Sequence, residues 1–328
     1  MDLTRFNPIE DKIREAKKLL GYQPFILSNS IQTGHGYAAL YGEGLPWVME
    51  KDDISKEDWE AFVEANARLR RMYDDWIDTT HAIVGNLSKL SVVDTGCNTG
   101  YFLYRFWGKG ARKCVGYDRS NMGAAINVLN NITGSKVKFV HKPYNPLSHK
   151  IKGCGRYDIV ISSAVMCHLS DPLYYLSFLA SIIRKALLLH TRISEEDNYL
   201  ISYGKVNRYY KEDHFPVNFD NEVTMSQGLL YESLRLSGFT EIREIEYSNE
   251  WLSYDWYHRH KTVVALKRAS SDSKVRTWNV AYGRREWLAG MVYRLFGSRL
   301  YYSLVSWVKS KPRLESIINK VISIHLKR

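Results

Sequence analysis

The sequence predicts an α/β fold: a doubly wound, mostly parallel sheet that ends in an antiparallel hairpin, with helical additions at both ends. Three observations predict it. From residue 90, short apolar runs alternate with helix-length segments, the spacing of β-α-β units. One of those runs passes directly into a glycine turn, SVVDTGCNTGYF at residues 91–102. Two late strands follow the last helix of the series and flank SNEWLSYDWYHRH, so the chain closes with a hairpin.

Residues 8–20 read as a short amphipathic helix, and residues 21–50, rich in Gly, Tyr and Ser, as loop. Within that loop TGHGYAALYG, Thr33–Gly42, has the length and composition of a lid over a site. Residues 55–84 are predicted helix, with Ser55 as N-cap and Asp58 three residues on. Its apolar positions include Trp59, Phe62, Val63, Leu69, Met72, Tyr73 and Trp76. The alternating part runs strand Leu90–Thr95, helix Tyr101–Trp107, strand Lys113–Tyr117, helix Met122–Asn130, then strands Val137–His141 and Tyr157–Ser162. Helix Pro172–Arg184 and strand Ala186–Thr191 follow, then an irregular stretch at 194–222, helix Ser226–Leu236, and strands Thr240–Tyr247 and Lys261–Lys267. Three regions result: an extension with a lid (1–85), the sheet domain (86–270), and a basic amphipathic helical segment (271–328).

The 328 residues are 45% hydrophobic, enough for a sizeable core. The four cysteines form no C-x-x-C pair and no histidine spacing completes a zinc pattern, so no metal site is predicted. Free thiols fit a reducing cytosol. The opening MDLTRFNPIEDKIREAKKLL is too charged for a signal peptide, and no run approaches the ~18 apolar residues of a membrane span. A cytoplasmic protein is expected, with peripheral contact at the inner membrane surface left open. The net charge of +11 is uneven: residues 271–328 hold 12 Lys or Arg against three acids, and the rest hold 34 against 32. An anionic partner is to be sought at that end.

The glycine turn has three readings. A dinucleotide fingerprint needs G-x-G-x-x-G, and here Gly96 and Gly100 are four apart. A P-loop needs Lys followed by Ser or Thr after the second glycine, and none follows Gly100. The third reading is S-adenosylmethionine (SAM), whose methionyl end carries a carboxylate and an ammonium. Glycines let backbone N–H groups approach such a ligand, the following helix N-terminus favours its carboxylate, and Asp94 meets the ammonium or orients the loop. Asp118, in CVGYDRS, ends the next strand 22 residues after Gly96. An acid there accepts ribose hydroxyls, and by itself it also reads as a helix cap. Cys97, Asn98, Arg119 and Ser163 complete the expected cofactor set, with Tyr73, which shares a helix face with Trp76 and packs on the cofactor or in the core.

VVDTGCNTG, GYDRS, YDIVISSAVMCHLSDP and the late hairpin, in that order over residues 90–268, resemble the class I SAM-dependent methyltransferases, whose sheet is Rossmann-like. Two departures stand out. Asn98 replaces the middle glycine of the family's D-x-G-x-G-x-G, and FVHKPYNP lacks the acid that often holds the adenine amine after the third strand. More narrowly, SSAVMCHLSDPLYYLSFLASIIRKALLLHT and GLLYESLRLSGFTEI resemble the branch of ubiquinone-type O-methyltransferases and tRNA wobble-uridine carboxymethyltransferases.

Transfer to an unactivated hydroxyl needs a base. His168 follows the fourth strand at the carboxyl edge and is either that base or a structural residue beside Asp171, which reads as the N-cap before Pro172. The aromatic loop 249–260 offers His258 and His260, and the insertion at 208–219 offers His214. The tail, with Trp287, Leu288, Met291 and Val292 flanked by arginines, fits an anionic membrane surface, RNA, or an oligomer contact. The expectation is a SAM-dependent methyltransferase that O-methylates a small molecule or glycan, a membrane-linked sugar included. The alternative is a tRNA-modifying alkyltransferase acting on a wobble uridine.

Overall fold

The computed structural model describes residues 1–41, 44–145, 148–169, 171–194, 199–203, 223–246 and 260–267. Its elements are α1 (Glu10–Leu19), β1 (Ile31–Thr33), α2 (Gly36–Tyr41), β2 (Val48–Glu50), α3 (Lys56–Val84), β3 (Ser91–Asp94), α4 (Tyr101–Gly108), β4 (Lys113–Asp118), α5 (Gly123–Thr133) and β5 (Lys138–His141). There follow β6 (Tyr157–Ser163), α6 (Pro172–Ile182), β7 (Ile183–Ser194), β8 (Ile201–Tyr203), β9 (Val223–Ser226), α7 (Gln227–Leu236), β10 (Glu241–Glu244) and β11 (His260–Leu266).

The main sheet runs β10-β11-β7-β6-β3-β4-β5. Strands β3 to β7 are parallel, β11 is antiparallel to β7, and β10 is antiparallel to β11. The predicted α/β class and late hairpin are therefore present. The chain winds outward from β3 through β4 to β5, then returns to β6 on the other side of β3. Order reverses between β3 and β6, and such a switch point opens a crevice at the carboxyl ends of the strands. Asp94 and Ser163 end the two strands that border it.

Helices cover both faces, which is why the central strands read as nearly continuous apolar runs. On one face Val92, Ile161 and Leu188 pack with Leu103, Phe106 and Leu129 and with Leu69, Met72 and Trp76 of α3. On the other, Val93, Val160, Leu187 and Leu189 pack with Tyr175, Leu176 and Leu179 of α6 and Leu230 and Leu234 of α7. The N-terminal residues Leu3, Ala16, Leu20, Phe25 and Leu27 belong to the first of these cores. Helix α3 begins as expected: Ser55 Oγ accepts the Asp58 N–H at 3.0 Å.

Three segments differ from the sequence-based expectation. Residues 21–50 contain β1, α2 and β2, with β1 and β2 paired antiparallel. The Gly-containing stretch is seated on α3, where Asn66 Oδ1 accepts the Gly36 N–H at 3.0 Å. The irregular stretch contains β9, whose Met225 and Ser226 extend the sheet beside Ile193 and Ser194 of β7, and β8, which pairs with β9. Helix α6 stops at Ile182, and β7 begins one residue later. Among the described residues no helix is long and apolar enough to cross a membrane.

Candidate cofactor site

The crevice is built on Asp94. This side chain is 1% exposed. Its Oδ1 accepts the Gly96 N–H at 3.3 Å, and its Oδ2 has no hydrogen-bond partner among the described residues. Burial pushes its pKa up to about 8, and the charge of Asp118 adds to the rise. An uncompensated buried carboxylate oxygen is costly, and a cationic ligand group in the crevice removes that cost.

Gly96 leaves room for the turn: a Cβ there would overlap Val165 Cγ2. Asn98 adopts φ 47°, a left-handed conformation that Asn tolerates, and its Oδ1 accepts the following Thr99 N–H at 2.7 Å. This local bond accounts for Asn at a position where the family has glycine. Gly100 has φ 87°, and a Cβ on it would lie 2.7 Å from Ile126 Cδ1.

Asp118 ties the loop to β4. Its Oδ2 accepts the Asn98 N–H at 2.8 Å and its Oδ1 accepts the Ser120 N–H at 2.8 Å. Each carboxylate oxygen has a second lone pair, so ribose hydroxyls can still be accepted. The helix-cap reading of Asp118 does not hold, because Met122 occupies the cap position of α5. Cys97 faces inward. Its N–H donates to Tyr117 O at 3.1 Å, its carbonyl accepts the Gly100 N–H at 2.8 Å, and burial pushes the thiol well above its ordinary range.

Arg119 is exposed, and its carbonyl accepts from His141 Nε2 at 2.7 Å. Ser163 is half-buried at the end of β6. The next residue, Ala164, has φ 54° and donates its N–H to His190 O at 2.9 Å, so the backbone leaves β6 in a strained turn. Beneath the crevice Tyr175 Oη joins Thr95 Oγ1 at 2.7 Å and Ser162 Oγ at 3.0 Å, pinning the ends of β3 and β6 together. Tyr73 is 5% exposed, with its ring against Tyr101 at 5.5 Å and Phe102 at 4.9 Å.

His168 is exposed and ends a short helical turn after β6. Asp171 holds the cap position of α6 but makes no side-chain cap bond. Its Oδ2 instead accepts from Tyr144 Oη at 2.8 Å and His149 Nδ1 at 3.2 Å. His214 and His258 lie outside the described residues, as does the segment 271–328. His260 is described: it starts β11 and stacks on His190 at 5.0 Å.

Sequence reasoning missed His190. Its ring also stacks on Trp76 at 4.5 Å, and its Nδ1 lies 2.8 Å from Thr262 Oγ1. Burial, then the neighbouring His260 and His35, push it well below the ordinary histidine range. The available signal was a polar residue ending the apolar run LLLHT. Gln23 was missed too; its amide reaches the glycine loop from the N-terminal segment. Among the described residues no cluster of His, Cys, Asp or Glu has the geometry of a metal site.

These residues fit SAM. The unpartnered Asp94 Oδ2 suits its ammonium, and Asp118 suits its ribose. The sheet order and this crevice define a class I SAM-dependent methyltransferase, and the family model described as a methyltransferase domain matches residues 67–229, about half the chain. The protein belongs to that class. Its relatives include the tRNA U34 carboxymethyltransferases of Actinobacillus succinogenes and Mannheimia succiniciproducens. The first is 28% identical over 197 residues, 55% of this chain and 56% of that protein. The second is 27% identical over 192 residues, 53% of this chain and 54% of that protein. The chain thus spans about half the length of the curated relatives it matches. Among solved structures, magnesium protoporphyrin IX methyltransferase from Synechocystis with bound SAM is similar at a TM-score of 0.44 and 17% identity, covering 70% of this chain and 89% of that one.

Proposed function

We propose that the protein methylates a hydroxyl group of a small molecule or glycan, with SAM as donor. The observation that carries this reading is the buried, unpartnered Asp94 Oδ2 at the switch point between β3 and β6. Bound SAM supplies an electrophilic methyl group on sulfonium. Asp94 pairs with the ammonium, Asp118 accepts the ribose hydroxyls, and the backbone of residues 96–100 lies along the methionyl end. His168, exposed on the turn that follows β6, takes the proton of the acceptor hydroxyl. The basic, Trp- and Tyr-containing segment 271–328 supports an acceptor held at an anionic surface, a membrane-linked sugar among them.

A second reading is transfer of a carboxymethyl group to a tRNA wobble uridine. The names of the sequence relatives favour it, and the basic segment would then meet RNA. Mass spectrometry of ligands that copurify with the protein tests both readings at once, because the two donors differ by a carboxylate. Radiolabelled transfer to sugars, phenols and bulk tRNA then separates the acceptors. If calorimetry detects binding of neither SAM nor S-adenosylhomocysteine, both readings fall.

A further inference from the structure

The helix that follows the glycine loop has no cap of its own. Gly100 stands at the N-terminus of α4 and offers no side chain, so the first amides of the helix need acceptors from elsewhere. Gln23 supplies one. It lies 78 residues earlier, is 4% exposed, and makes three hydrogen bonds to the loop. Its Oε1 accepts the Tyr101 N–H at 2.9 Å and the Thr99 hydroxyl at 2.8 Å. Its Nε2 donates to Cys97 O at 3.3 Å.

The segment that presents Gln23 is itself fixed. The Thr33 hydroxyl donates to Gln23 O at 2.7 Å and accepts the Phe25 N–H at 3.1 Å. The Thr33 N–H donates to Phe25 O, and the His35 N–H to Tyr22 O, both at 2.9 Å. Tyr22 and His35 then stack at 4.0 Å. The side chain therefore emerges from a closed hairpin that has already lost its backbone freedom, and little further entropy is lost in holding the loop. The Tyr101 N–H is engaged by a neutral amide, so a cofactor carboxylate must use other groups.

We propose that Gln23 is a positioning residue for the cofactor site: its amide holds residues 97–101 in the conformation that receives the methionyl end of SAM, and makes that conformation depend on the N-terminal segment. The proposal rests on the SAM reading above. Gln23→Met keeps the shape of the side chain and removes all three bonds. It should weaken S-adenosylhomocysteine binding at least ~10-fold by calorimetry, at a temperature where both proteins are folded. Gln23→Glu is the conservative variant. It keeps the acceptor for the Tyr101 N–H and the Thr99 hydroxyl and gives up only the donor to Cys97 O, so it should bind more tightly than Gln23→Met at the same pH, and affinity no better than that of Gln23→Met would count against the acceptor bonds. Wild-type affinity in Gln23→Met overturns the proposal, whatever its melting temperature. If the wild type binds neither SAM nor S-adenosylhomocysteine, the SAM reading fails and the positioning role is judged by hydrogen exchange. Gln23→Met must then speed exchange of the Tyr101 amide while leaving the β6 amides unchanged, and equal Tyr101 exchange overturns it.

Discussion

At the scale of single residues, Asp94 sets how cofactor affinity follows pH. Its ligand-free carboxyl is held up to about 8 by burial, so below that pH it is protonated. Pairing with an ammonium needs the carboxylate, and binding therefore releases a proton. Affinity for S-adenosylhomocysteine should climb as pH rises from 6 to 8, by up to about tenfold per unit, and then level off. Asp94→Asn should bind weakly and without that slope. The same shift has a stability sign. The folded pKa lies above the unfolded 3.8, so Asp94 disfavours folding progressively as pH rises from about 4 to 8. Urea midpoints of ligand-free wild type should fall relative to Asp94→Asn over that window, and parallel curves would refute the burial argument. Asp118 acts differently, since both its oxygens already accept backbone N–H groups. Asp118→Ala should cost ~1–3 kcal/mol of binding free energy by unpairing those amides as well as the ribose.

At the scale of elements, the loop between β3 and α4 is shaped by what it touches. Gly96 faces Val165 Cγ2 on the segment after β6, so Gly96→Ala should push the loop away and lower cofactor affinity about tenfold or more. Val165→Ala opens that space, and the double variant should recover most of the loss. Simple additivity of the two changes would show that the contact does not set the loop. The loop, its acid and the strand-helix alternation were legible because each is local: glycines near one another, an apolar run, an acid one strand later. The order β10-β11-β7-β6-β3-β4-β5 was not legible, because it depends on which strands pair across long stretches of chain and leaves no local pattern. Gln23 was not legible, since a lone glutamine in a glycine-tyrosine stretch carries no periodicity and its partners lie more than 70 residues away. Strand β9 escaped for another reason: four residues, VTMS, are too short to show alternation before the cap at Ser226. Asp171 was assigned as a cap from its place before Pro172, and the position is right while the bond is not, because Tyr144 and His149 come from a distant loop to claim the carboxylate.

At the scale of the whole molecule, the N-terminal segment and the far strands of the sheet share a titration. His35 precedes α2 and is pushed down to about 4 by burial. His190, on β7, is also pushed well below the ordinary range by burial, with His260 and His35 adding to the shift. In the unfolded chain both imidazoles titrate near ~6.5. Below that pH the unfolded state binds protons that the folded state refuses, so stability contributed by these residues is present above ~6.5 and is lost as pH falls toward 4. Each histidine should add up to about 1.4 kcal/mol per pH unit to the acid slope. His35→Phe keeps a ring against Tyr22 and gives up the bond from His35 Nδ1 to Tyr22 O. His190→Phe keeps the stack on Trp76 and gives up the Thr262 contact. Both variants should lose absolute stability at pH 7 and yet show flatter stability curves between pH 6.5 and 4.5 in urea titrations. Asp94 acts with the opposite sign in that window and is common to all three proteins, so it cancels in the comparison. If each variant keeps the wild-type slope, the two imidazoles are not held neutral by the fold, and the acid limb must come from carboxylates instead.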